Sequence, residues 1–190
     1  RDYTSIAVTT DDSNDEIVYA SSMGDGVIQY KNGTPVQSYN EKNAFKETAG
    51  GYGSGYCYID GLAFDKNGNL WMTSSEVNHA VLVLDKAGAW HRLDIEQLRG
   101  VYTINDILIT STNDKWIYVP RNTPKLVMIP NSESLDEVSS YEFTTLIDTD
   151  GKELTPSNYT CVAEDKDGYI WVGTNRGAVY FTKPRISSTC

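Results

Sequence analysis

The sequence predicts an all-β chain made of about four four-stranded units, the blades of a β-propeller. Three observations carry that expectation. Tight-turn signals recur at Asn67-Gly68 and Asp167-Gly168, the latter read as a two-residue type I′ hairpin turn. Trp71, Trp116 and Trp171 stand 45 and 55 residues apart, close to the period of a propeller blade. Thirteen Tyr and four Trp, with little helical periodicity, suit pleated, half-buried surfaces.

Each unit can be followed in order. The first takes Ser5–Thr10, Glu16–Ser22 with Val18 in the Trp position, Gly26–Tyr30 and Pro35–Tyr39. In the second are Gly61–Phe64, Leu70–Ser74, Ala80–Leu84 and Ala89–Leu93. Thr103–Thr110, Lys115–Val119, Lys125–Ile129 and Tyr141–Leu146 make the third. The fourth shows Tyr159–Ala163, Tyr169–Thr174 and Ala178–Thr182, with no obvious outer strand. The blades thus span approximately 1–40, 57–94, 101–148 and 157–190, and no domain boundary is evident. Two inserts break the regularity: a Gly- and Tyr-rich loop within 41–59, and 94–102, long enough for one helical turn. Because closed propellers usually carry more blades, the chain reads as an arc cut from a larger ring, its fourth blade completed from elsewhere. All three Trp are expected at equivalent second-strand positions, largely buried between blades.

Bulk composition excludes several functions. Sixteen basic and 26 acidic residues give a net charge of −10, which argues against duplex nucleic acid and anionic membranes as partners. No apolar run reaches the ~18 residues of a membrane-spanning helix. Three cysteines make an odd count; Cys57 and Cys161, in strand-like runs, read as small buried hydrophobes. With two histidines and no Cys-x-x-Cys there is no zinc set, and no cofactor is expected.

Asp65-Lys66-Asn67-Gly68, Asp148-Thr149-Asp150-Gly151 and Asp165-Lys166-Asp167-Gly168 each look like the start of a calcium loop. The twelfth position, which needs a bidentate Glu, holds Glu76, Tyr159 and Arg176 respectively. For the first, strand-like Leu70-Trp71-Met72 intervenes, so a hairpin turn repeated from blade to blade is the better reading and no metal is expected.

These residues resemble the two-component regulator propeller repeat, whose pattern is a strand, Asp-x-x-Gly-x-ϕ-Trp-ϕ-Gly-Thr and a Gly-led strand (ϕ apolar). Blade four carries it almost whole, from Cys161 through Trp171-Val172-Gly173-Thr174 to Tyr180-Phe181. Blade two departs after Trp71-Met72-Thr73, with Ser74 and Ser75 where Gly-Thr belongs; blade three keeps Lys115-Trp116-Ile117. The order of the copies is similar to PorZ-like propellers of the Bacteroidetes type IX secretion pathway. The resemblance implies an extracytoplasmic location, in the periplasm or at the outer-membrane surface. It also implies anionic lipopolysaccharide or oligosaccharide as ligand and secretion-machinery proteins as partners. The same repeats build oligosaccharide-sensing periplasmic regions of hybrid two-component regulators, which is the alternative.

Within a propeller, reversals between second and third strands open on the face that also carries the connection to the next blade. That face would gather Glu76, Asn78 and His79, then Arg121 and Asn122, then Asn175 and Arg176, with Tyr52 and Tyr56 from the insert. Arg supplies bidentate donors for anionic groups and Tyr a flat apolar plate for sugars. Asn and Gly are also simply good turn formers. No catalytic residue is assigned. His79 alone offers an enzymatic reading, since antibiotic lyases with similar repeats use a propeller loop histidine, whereas His91 reads as an edge residue. The leading expectation is therefore a non-enzymatic binding or assembly module.

Overall fold

The computed structural model describes residues 2–45, 55–136 and 138–182. Blade one is β1 (Tyr3–Thr10), β2 (Glu16–Gly24), β3 (Gly26–Lys31) and β4 (Thr34–Tyr39), paired antiparallel in chain order. Blade two is β5 (Cys57–Phe64), β6 (Leu70–Ser74), β7 (Val81–Leu84) and β8 (Trp90–Leu93). A 3₁₀ turn, Glu96–Leu98, supplies the helical element expected in 94–102. Blade three is β9 (Ile107–Ile109), β10 (Lys115–Val119), β11 (Lys125–Ile129) and β12 (Tyr141–Phe143). The fourth strand anticipated through Leu146 stops at Phe143; Leu146–Ile147 (β13) instead pairs with Glu153–Leu154 (β14) across Asp148–Gly151. Blade four shows β15 (Tyr159–Glu164), β16 (Ile170–Thr174) and β17 (Gly177–Phe181). Residues 183–190, where the sequence left its outer strand open, lie outside the described residues.

Burial shows why period-two alternation is muted in the central strands. β6 and β10 are buried at all five positions, because each blade has an apolar face on both sides and a neighbour covers each. Leu70, Met72 and Leu82 join Ile17, Tyr19 and Val27 of blade one in one cluster. Trp71, Val81 and Val83 face the other way, into Ile107, Ile117 and Val127. Trp116 and Tyr118 repeat the move toward Ile170 and Val172. Lys115, 1% exposed, lays its ammonium 4.4 Å from the Trp71 ring centroid, and burial lowers its pKa.

The turns are not type I′. Gly68 and Gly168 have φ of 83° and 81°, but Asp167 is not in the left-handed region. The Gly68 amide bonds the Asp65 carbonyl and the Asp65 amide bonds the Asn69 carbonyl, giving a type I turn closed by a left-handed Gly. The Asp side chain fixes it: Asp65 Oδ1 accepts from the amides of Asn67 and Asn69, and Asp165 Oδ1 from those of Asp167 and Tyr169. The second carboxylate oxygen takes the indole six residues on, Trp71 Nε1 to Asp65 at 2.9 Å and Trp171 Nε1 to Asp165 at 2.7 Å. This indole bond is the first cause of the lowered Asp165 pKa. With these oxygens engaged, the Asp-x-x-Gly segments are structural turns.

Two positions differ from the sequence alignment. The residue six after the first turn aspartate, Asp11, is Ile17, buried against blade two; Val18 faces the other side. Trp171, unlike the fully covered Trp71 and Trp116, is 41% exposed. It occupies the equivalent second-strand site, but no blade among the described residues packs on that side. Cys57 is buried, as expected, and burial raises its thiol to about 11, whereas Cys161 is exposed.

Blade three carries Thr110 where blades two and four carry the turn Asp, and the buried Trp116 Nε1 has no hydrogen-bond partner. Thr110→Asp supplies the missing acceptor and is expected to raise unfolding stability by about 1 kcal/mol, checked by urea denaturation. In the same assay Trp116→Ala should cost ~3–5 kcal/mol, as for large aromatics in packed cores. Trp171→Ala should cost about 1–2 kcal/mol, because less of its surface is removed from water.

Candidate functional site

The blades are stitched by hydrogen bonds on one face. At the first junction, Met23 and Gly24 at the end of β2 pair with Tyr58 and Cys57 at the start of β5. At the second, the Glu76 amide donates to the Val101 carbonyl at 2.8 Å, and the Gly100 amide to the Val77 carbonyl at 2.8 Å. At the third, the Tyr159 amide donates to the Pro120 carbonyl at 3.1 Å. Each reversal between second and third strands thus touches the entry to the next blade, as the propeller geometry required.

Hydroxyl groups reinforce these junctions from strand interiors. Thr73 Oγ1 accepts from the Gly61 amide and donates to the Asn105 carbonyl, 2.9 Å each. Tyr118 donates its hydroxyl to the Thr160 carbonyl at 3.2 Å. Gly61 and Thr160 sit where the first strands slip register, between Ile59 and Leu62 and between Tyr159 and Cys161. The slips free backbone groups: the Gly61 amide is taken up by Thr73 within blade two, and the Thr160 carbonyl by Tyr118 of the neighbouring blade.

The predicted residues fall into three groups. Glu76, Asn78 and His79 share the turn after β6, where Glu76 adopts φ of 62° and Val77 points inward, 6% exposed. Arg121 and Asn122 are exposed on the turn after β10, with Asn122 at φ 61°. Asn175 and Arg176 are exposed on the turn after β16. The last two groups flank one segment: Pro120 accepts from Tyr159, while Asn175 donates its amide to the Asn158 carbonyl at 3.1 Å. Neither Arg121 nor Arg176 forms an ion pair among the described residues, so the local pairing with Glu76 or Asp25 that would have explained them is not seen. Asn175 has a structural duty, its Oδ1 accepting the amides of Ser157 and Asn158. Tyr56 rests on Gly24, where a Cβ would come within 2.9 Å of its ring, and meets Tyr58 edge-on at 5.0 Å. Tyr52 lies outside the described residues. His91 lies away from these turns, on β8, where Asp85 at 3.0 Å raises its pKa.

Sequence reasoning missed two polar features here. The Asn158 side-chain oxygen is buried without a partner, in the very segment that Arg121 and Arg176 bracket. Asp60 receives the Ser75 hydroxyl at 2.7 Å, and Ser75 Oγ accepts the Ile104 amide of blade three at 2.8 Å. Burial pushes the Asp60 carboxyl up to about 6, against the pull of the Ser75 hydroxyl and amide. The available signal was the Thr73-Ser74-Ser75 run, in which Thr73 and Ser74 take the places of the repeat's Gly173 and Thr174 and Ser75 follows. A cleft of about 560 Å³ lies elsewhere, between β17 and the β13–β14 hairpin, and is lined by Leu146, Ile147, Val179 and Phe181. It is a gap beside a strand edge unpaired among the described residues, and no candidate residue borders it.

PorZ, a bacterial surface component of the type-IX secretion system of Porphyromonas gingivalis, superposes with a TM-score of 0.78 at 20% identity over 92% of this chain. The fold is that of a β-propeller. Residues 153–176 match the family model described as two component regulator propeller. The extracellular domain of a putative hybrid two component system from B. thetaiotaomicron aligns with 97% of the chain at 15% identity, TM-score 0.66. A putative 6-phosphogluconolactonase from Bacteroides uniformis aligns with 98% at 10% identity, TM-score 0.61. The propeller chain described here spans 24%, 23% and 52% of those three chains. Among curated proteins none matches its sequence. No helix of the described residues is long and apolar enough to cross a membrane.

The Asp60 shift has a sign that can be tested. Its folded pKa lies above the ordinary carboxylate value, so the folded state holds a proton that the unfolded state has released. Stability is expected to rise as pH falls from 7 through about 6 and to level off near the unfolded value. Asp60→Asn should flatten that part of the pH profile, as measured by thermal unfolding across the range.

Proposed function

We propose that this chain is a non-enzymatic binding module that works outside the cytoplasm and takes an anionic glycan on its junction face. One observation carries the reading: Arg121 and Arg176 flank the Asn158–Tyr159 segment without ion pairs, on a chain of net charge −10. A carboxylate, sulfate or phosphate on a sugar accepts the paired N–H donors of a guanidinium group. Asn122 and Asn175 share the turns of the two arginines, Glu76, Asn78 and His79 add polar groups at the second junction, and Tyr56 supplies a ring at the first. Surface lipopolysaccharide has this chemistry, and the likeness to a surface component of the type-IX secretion system supports a role in secretion or surface attachment.

A second reading, the oligosaccharide-sensing region of a hybrid two-component regulator, is favoured by the extracellular regulator domain that aligns with nearly the whole chain. The two share the ligand site and differ in what the parent protein carries. A transmembrane helix and kinase in the complete reading frame mean the sensor; a signal peptide and C-terminal sorting domain mean secretion.

The test is glycan binding by calorimetry with extracted acidic polysaccharide. The Arg121→Ala/Arg176→Ala variant, with unchanged circular dichroism, should bind at least tenfold more weakly, a loss of about 1.4 kcal/mol, and raised salt should weaken the unmodified protein. Equal binding by the double variant, or no glycan binding by the unmodified protein, overturns the proposal.

A further inference from the structure

The turn ends of blades three and four enclose a cavity of about 460 Å³, at the opposite end of the strands from Arg121 and Arg176. The β9–β10 turn supplies one wall, with Thr110 and Thr112, and the β15–β16 turn the other, with Lys166 and Asp167 at the exposed rim. Glu164 ties the walls together by accepting the Ser111 amide at 2.6 Å. Trp116 and Ile170, both buried, form the inner end.

Two substitutions within the repeat open this space. At the preceding junction Asp65 accepts the Trp71 indole N–H at 2.9 Å, and Lys115, the residue before Trp116, lays its ammonium 4.4 Å from the Trp71 ring centroid. Between blades three and four, Thr110 stands for that Asp and Ile170, the residue before Trp171, for that Lys. The Thr110 hydroxyl is committed elsewhere, to the Asp114 amide at 3.0 Å and the Thr112 hydroxyl at 2.9 Å. Trp116, 0% exposed, therefore keeps an indole N–H without a partner. The N–H groups of Trp71 and Trp171 reach the side chain six residues earlier. On that pattern the Trp116 N–H is aimed at Thr110, into the cavity that both residues line.

We propose that an uncharged polyhydroxy compound, a sugar or polyol, binds in this cavity with one hydroxyl accepting the Trp116 N–H. The group at the indole has to accept a hydrogen bond, which an ammonium ion cannot do. An anion could accept, but the carboxylates of Asp114, Glu164 and Asp167 outnumber the ammonium of Lys166 around the cavity and repel it. A hydroxyl accepts from the indole and still donates, and further hydroxyls on the same molecule meet Thr112 and Asp167 nearer the opening. The volume is that of a small-molecule site. The cavity shares no residue with the junction face, so the two sites stand or fall separately.

Nitrogen-15 labelling of tryptophan tests the proposal on the 190-residue chain, which has four indole N–H groups; Trp116→Phe assigns the peak. D-glucose, D-mannose and myo-inositol serve as probes. At millimolar concentration at least one should move the Trp116 peak downfield and saturably, while the Trp71 peak, already bonded to Asp65, stays in place. Thr110→Asp puts a carboxylate beside the indole, so its Trp116 peak should lie downfield without any sugar and its affinity should fall at least about tenfold. If that variant misfolds, Asp167→Ala, at the exposed rim, should weaken binding and leave the peak of the free protein unmoved. Undiminished binding by the folded Thr110→Asp variant overturns the proposal. So does a peak that none of the three probes moves, which means that water alone serves the indole. A peak that responds to methylammonium or acetate but to no sugar or polyol also overturns it, by assigning the cavity to a charged ligand. Acidic polysaccharide, the ligand of the junction face, should leave the Trp116 peak in place.

Discussion

A blade of this protein has two apolar faces, and water can be excluded from both only by another blade on each side. That constraint explains more of the structure than any single hydrogen bond. Burial of a large aromatic or aliphatic side chain is worth a few kcal/mol, and β6 and β10 bury every one of their five positions. In β16, covered on one side among the described residues, burial alternates, with Ile170 and Val172 covered while Trp171 is exposed. The same residue type in the same local structure is core in one blade and surface in the next.

The Asp-x-x-Gly turn joins local and tertiary structure. Its carboxylate closes the reversal through backbone amides, then fixes the indole that the neighbouring blade will cover. Blade three shows the two duties separating. Thr110 Oγ1 still accepts the Asp114 amide and so still shapes the turn, yet it leaves the Trp116 N–H without a partner. Packing of the ring alone evidently suffices to hold that blade in the stack.

The junction face inherits its chemistry from the same stacking. Each reversal after a second strand must satisfy its backbone groups against the entry of the next blade, which draws distant segments together. Arg121 and Arg176 are 55 residues apart in sequence, yet both adjoin Asn158–Tyr159 for this reason. The turns were legible as turns, and the face they share followed from propeller geometry. The buried oxygen of Asn158 and the Asp60–Ser75–Ile104 link were not legible, because each depends on which blade a side chain meets rather than on its own neighbours in the chain.

By itself the sequence determined the strand order, the blade repeat and the positions of the turns, since these depend on local pattern: a turn aspartate, a left-handed glycine and an aromatic at fixed spacing. It misplaced the blade-one equivalent by one residue, Val18 for Ile17, because without a Trp nothing in the strand marks which side meets the next blade. One position along a strand reverses the side, and only the turn Asp11 six residues earlier resolves it. It also could not distinguish Trp171 from Trp71, whose local motifs match. The tertiary structure decided that, because exposure is a property of the neighbouring blade and not of the strand that bears the side chain.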